Sequence, residues 1–103
     1  MFDFIKKLFG GSTVNYSELI ENGAVIVDVR TPQEYRSGNI RGSLNIPLDQ
    51  LKGNLKKIKK DKPVIVCCAS GMRSGAAKGV LQSNGFTQVF NAGSWHKLTK
   101  YVN

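Results

Sequence analysis

Only two cysteines occur in 103 residues, and they are neighbours, Cys67 and Cys68. Adjacent cysteines close no loop and could pair only through a strained bond, which excludes a secreted disulfide scaffold. Histidine is scarcer still. The single His96 stands beside Trp95 with no spacing motif to bring it to a reactive loop, and it reads as a surface or rim residue rather than a general base. Acidic residues are few, 7 against 15 Lys+Arg, for a formal charge of +8. A field of that sign attracts anions without separating nucleic acid from a small anionic substrate. The one Trp, three Tyr and five Phe are not interleaved with basic residues as in an RNA-binding motif, so nucleic acid is not expected as a partner. Long apolar runs are also missing. At the N-terminus Phe2, Phe4, Ile5, Leu8 and Phe9 are interrupted by Asp3, Lys6 and Lys7. That pattern suits neither a signal peptide nor a membrane span of roughly 20 residues, and the expectation is a cytoplasmic protein without membrane association.

What the chain does have is enough apolar residue, 41%, for one core and one domain. Phe2, Ile5, Leu8 and Phe9 share a helical face, which predicts a short amphipathic N-terminal helix capping the domain's own core. With the Gly10-Gly11-Ser12-Thr13 linker it makes up residues 1–13, and the domain proper spans 14–103. Ser17 is an N-cap candidate for a short helix stopped by Gly23. Residues 24–29 form an apolar run without alternation, as a strand buried on both faces requires. Thr31, Pro32 and Glu34 make a capping box with proline in the first turn, and Gly38 ends that helix. A short strand is predicted at 43–46. Asp49 is then positioned to cap a helix carrying Leu51, Leu55 and Ile58 inward and Lys52, Lys56, Lys57, Lys59 and Lys60 on a solvated face. A second buried strand follows at 63–67, a helix at 73–83 and a last strand at 87–90. This order predicts an α/β domain with a mainly parallel sheet flanked by helices on both faces, and in such sheets ligands bind beyond the carboxyl ends of the strands.

Cys68-Ala69-Ser70-Gly71-Met72-Arg73 occupies that position, between an apolar strand and a helix. Small residues let the backbone wrap until successive N–H groups converge on one point, and the helix adds the positive end of its dipole. A cysteine inside such a cradle is held as thiolate, the nucleophilic form, below its ordinary pKa. Cys67 continues the strand, its side chain pointing the opposite way, and reads as packing.

These residues resemble the active-site loop of the rhodanese-like sulfurtransferases. So do two upstream segments, Asp28-Val29-Arg30 with Pro32-Gln33-Glu34-Tyr35, and Gly38-Asn39-Ile40-Arg41-Gly42-Ser43-Leu44-Asn45-Ile46-Pro47. The resemblance runs from Asp28 to Ser74, with a plausible ending at Val89 to Trp95. It implies a five-stranded parallel α/β sheet and transfer of a sulfane sulfur through a Cys68 persulfide. The donor would be thiosulfate or a protein persulfide and the acceptor a thiol or cyanide, with no metal or cofactor. Amides of Ala69, Ser70, Gly71, Met72 and Arg73 would then bind the moving charge. By its place in the family pattern Arg73 braces the loop or attracts the donor, while Asp28, Arg30 and Glu34 form an ionic framework behind it. Two rivals stay open. Cys67, five residues and Arg73-Ser74 reproduce the spacing of a cysteine phosphatase or arsenate reductase loop, although Val66 stands where that loop has histidine. The other rival is a persulfide carrier or regulatory module that mainly docks a partner.

Overall fold

Two apolar segments form the middle of the sheet. In the computed structural model, which describes residues 14–102, Val25–Asp28 (β1) and Val64–Cys68 (β3) pair in parallel, with Asp28 opposite Cys67. All five residues of β3 are buried, as a strand paired on both edges and covered on both faces must be. Leu44–Asn45 (β2) adds to the outer edge of β1 and Val89–Ser94 (β4) to that of β3, so the order is β2-β1-β3-β4, all parallel. The amphipathic helix and linker expected at residues 1–13 lie outside the described residues.

These four strands overlap the four predicted segments, but the last runs from Val89 to Ser94 rather than over 87–90, because its pairing with β3 carries on through Asn91, Gly93 and Ser94. A fifth, implied by the family resemblance, is not found among the described residues. Asn15 leads directly into helix α1, Tyr16–Glu21, and its side chain accepts from the Glu18 N–H at 3.0 Å. The cap is therefore Asn15 rather than Ser17, which lies inside the first turn. The capping box forms as its residues dictate. In α2, Pro32–Ser37, the Thr31 hydroxyl accepts from Glu34 N–H, Glu34 accepts from Thr31 N–H, and Gly38 closes the helix.

Asp49 does not cap the next helix. Pro47 precedes α3, Leu48–Leu51, without a side-chain cap, and Asp49 sits in the first turn. After one turn the chain tightens into a 3₁₀ segment, Lys52–Lys57, kinked at Asn54 (φ −128°, ψ 23°). Lys52, Lys56 and Lys57 in this segment and Lys59 and Lys60 just after it are nevertheless exposed, while Leu51 and Ile58 are buried.

Alternation in β3 divides the core. Val64, Val66 and Cys68 point into one layer with Leu51, Ile58 and, from helix α4 (Met72–Ser83), Ala77 and Leu81. Ile65 and Cys67 point into the other with Ile40, Leu98 and the partly buried Leu19 and Ile20. Because β1 leads outward to β2 and β3 outward to β4, the connections diverge at the carboxyl ends of β1 and β3. In parallel sheets ligands bind beyond such a divergence, and Asp28 and Cys68 are the last residues of β1 and β3 at that end.

Candidate active site

Cys68 is the last residue of β3, one position further along the strand than the sequence suggests, and α4 starts at Met72, one residue early. Three residues connect them. Gly71 makes the turn with φ +109° and ψ −16°, a left-handed conformation that a side chain rarely adopts. A Cβ there would also lie 3.5 Å from the Gly93 Cα. No side chain caps α4, and the sulfur takes that part: Cys68 Sγ accepts from Gly71 N–H at 2.9 Å and from Ser74 N–H at 3.3 Å.

The surroundings of the sulfur pull in two directions. Burial raises its pKa, but the side chain of Ser74 and the N–H groups of Ser74, Gly71 and Ser70 together outweigh burial and hold the thiol below its ordinary value. Cys67, one residue away, has the opposite fate. Burial first, then the Asp28 carboxylate, push it up to about 12, so at neutral pH it is an inert thiol in the far core layer. Ala69, Ser70 and Met72 are exposed, Met72 at 85%.

The predicted ionic residues are brought together in two linked pairs. Asp28 and Arg30 are buried, with Arg30 Nε and Nη2 donating to the Asp28 carboxylate at 2.7–3.0 Å. The remaining guanidinium donors reach the carbonyls of Glu34 at 3.2 Å and Gly38 at 2.7 Å, within α2 and at its C-terminal end. Arg30 also lies over the Trp95 ring, 4.6 Å from its centroid. Glu34 in turn receives both Nη atoms of Arg73, at 2.7 and 3.0 Å, in a two-pronged pair. Arg73, then Thr31, lower the Glu34 carboxyl to about 2. The strand end, α2 and the reactive loop are thereby tied in series.

His96 is exposed, with its ring centroid 4.1 Å from that of Trp95 and its backbone N–H donating to Ser94 Oγ. Sequence reasoning overlooked three contributors. Ser74 is fully buried against the sulfur; Asn91 Oδ1 sits 2.6 Å from Ser74 Oγ; and Trp95 covers Arg30. The one signal for Asn91 is a polar residue in an apolar strand beside Gly93. Among the described residues no cluster of His, Cys, Asp and Glu is arranged to hold a metal ion.

Comparison with known proteins agrees with this geometry. The family described as rhodanese-like domain matches residues 12–100. The chain is similar to YqhL of Bacillus subtilis (strain 168), named an uncharacterized protein, at 46% identity over 66% of this chain and 54% of that one. It is similar to the thiosulfate sulfurtransferase PspE of Escherichia coli (strain K12) at 41% identity, over 65% of this chain and 66% of the relative. The chain thus spans about half to two-thirds of the length of these curated relatives. Among solved structures, a rhodanese with anions from E. coli superposes with a TM-score of 0.70 at 34% identity, covering 75% of this chain and 93% of that one.

Proposed function

The chain belongs to the rhodanese-like domain family, a sulfurtransferase kind, and on that premise we propose that it moves a sulfane sulfur through a persulfide on Cys68. In the first half-reaction the Cys68 thiolate attacks the outer sulfur of thiosulfate. The sulfur–sulfur bond of the donor breaks, sulfite leaves with the bonding pair, and Cys68 carries the extra sulfur. An acceptor thiolate or cyanide then attacks that terminal sulfur, and the Cys68 thiolate is the leaving group. No electron is gained or lost overall, and the negative charge that returns to Cys68 Sγ does so beside the fixed Gly71 and Ser74 N–H donors. A protein persulfide can serve as donor in the same way, its own thiolate departing in place of sulfite.

The observation that carries this reading is the sulfur at the uncapped start of α4, receiving the Gly71 and Ser74 N–H groups. Those donors favour the thiolate as nucleophile and as leaving group alike. Arg73 serves as a brace, because its fork is occupied by Glu34. Intact-mass measurement after incubation with thiosulfate tests the reading: one added sulfur, about 32 Da, is expected. Cys68→Ser should lose both the adduct and sulfur transfer to cyanide, and Cys67→Ala should keep both. Full transfer in Cys68→Ser, or hydrolysis of p-nitrophenyl phosphate as fast as sulfur transfer in the unaltered protein, would overturn it. Parallel assays with thiosulfate and with a cysteine desulfurase as donor separate a free-substrate enzyme from a persulfide carrier.

A further inference from the structure

Ser74 has one hydroxyl proton and three neighbours for it. Its Oγ lies 3.3 Å from Cys68 Sγ, 3.1 Å from the Gly71 carbonyl and 2.6 Å from Asn91 Oδ1. The identity of the Asn91 atom is set by its second contact. Gly93 N–H donates to it at 2.9 Å, and a backbone N–H facing an amide NH₂ would put two donors together, so the oxygen must be there. An acceptor already fixed by Gly93, at the shortest of the three distances, takes the Ser74 proton. The hydroxyl then presents only a lone pair to Cys68, and the contact across 3.3 Å is the thiol S–H donating to Ser74 Oγ.

Ionisation of Cys68 reverses what the sulfur needs. The S–H bond breaks, the proton leaves to water, and the thiolate calls for donors; Gly71 and Ser74 N–H are already in place. For the Ser74 hydroxyl to join them its proton must turn away from Asn91. We propose that Asn91 is a positioning residue that competes with the Cys68 thiolate for the Ser74 hydroxyl proton, and so sets how readily the sulfur ionises and how well it leaves. β4 puts Asn91 there by its pairing with β3, and the register shift follows it. Asn91 is opposite Val66 and Gly93 opposite Cys67, with Ala92 as the extra residue, so the Asn91 side chain lies on the α4 side of the sheet with Cys68.

This inference rests on the reading of Cys68 as the working thiolate, but its test does not require sulfur transfer. The ultraviolet absorbance of the thiolate, followed against pH, reports Cys68 alone while Cys67 remains protonated. Asn91→Leu, close to Asn in shape and without an acceptor, should free the hydroxyl and move the Cys68 midpoint down, raising the thiolate-to-thiol ratio at a given pH roughly threefold to tenfold. Asn91→Asp keeps an acceptor for both Ser74 and Gly93, serves if the leucine variant does not fold, and should move the midpoint up. In a Ser74→Ala background the leucine shift should vanish and the aspartate shift should shrink to its through-space charge effect. Equal shifts with and without the Ser74 hydroxyl, or an upward shift for Asn91→Leu, overturn the proposal. If instead these shifts appear but no sulfur adduct forms with any donor, the proposed function fails while this coupling stands.

Discussion

Arg73 and Glu34 are 39 positions apart, yet their pairing governs how firmly the loop is held. The planar fork of arginine meets both carboxylate oxygens, whereas lysine offers a single point charge. Arg73→Lys is therefore expected to lower kcat/KM for thiosulfate by about tenfold through loss of loop position, with the net charge unchanged. The Glu34 carboxyl adds a pH dependence whose sign follows from its direction. Its folded pKa, about 2, lies below its ordinary 4.5, so the pair favours the folded state above the ordinary value, and that contribution fades as pH falls from about 4.5 to about 2. Glu34→Gln should flatten the stability curve across this window in chemical denaturation, and added salt should shrink the difference because both side chains are partly exposed. An unchanged slope would mean that the pair contributes nothing measurable.

At the scale of elements, the decisive join is the one between β3 and α4. Gly71 holds φ +109°, where a Cβ is disfavoured by about 1–2 kcal/mol. Gly71→Ala should lower the unfolding midpoint by that order. It should also raise the Cys68 midpoint, because the N–H that lies 2.9 Å from the sulfur must move; slower alkylation of Cys68 at neutral pH would show it. The start and stop of α2 were legible because all their determinants, Thr31, Glu34 and Gly38, lie within eight residues. α3 was not. Asp49 has the right chemistry for a cap, but β2 ends two residues before Pro47, so the helix starts at Leu48 and Asp49 falls inside it. Asn15 took the cap expected of Ser17 for a similar reason, being the residue still extended enough to turn its side chain back to Glu18 N–H.

For the whole molecule, the +8 charge and the exposed lysines at and after the α3 stretch set a long-range positive field that the anionic donor of the proposed reaction would enter. Screening acts over about 8 Å at physiological ionic strength, so kcat/KM for thiosulfate should fall as salt rises, while transfer to a neutral thiol changes less. If the field is diffuse, replacing Lys56, Lys57, Lys59 and Lys60 with Gln should weaken that salt dependence and leave high-salt turnover intact; loss of turnover at high salt would give those lysines a local role instead. By itself the sequence determined the approximate strand segments, the parallel α/β order, the loop between β3 and α4 and the different surroundings of Cys67 and Cys68. Each of these depends on apolar period, small residues and caps acting over a few neighbouring positions. Only the tertiary structure decided that Arg73 is held by Glu34, that Arg30 is clamped between Asp28 and Trp95, and that Asn91 reaches Ser74. The Arg73–Glu34, Arg30–Trp95 and Ser74–Asn91 contacts each join segments far apart in the sequence. The 2.6 Å hydrogen bond depends on Asn91 standing opposite Val66, because a slip of one residue would turn its side chain to the opposite face of the sheet.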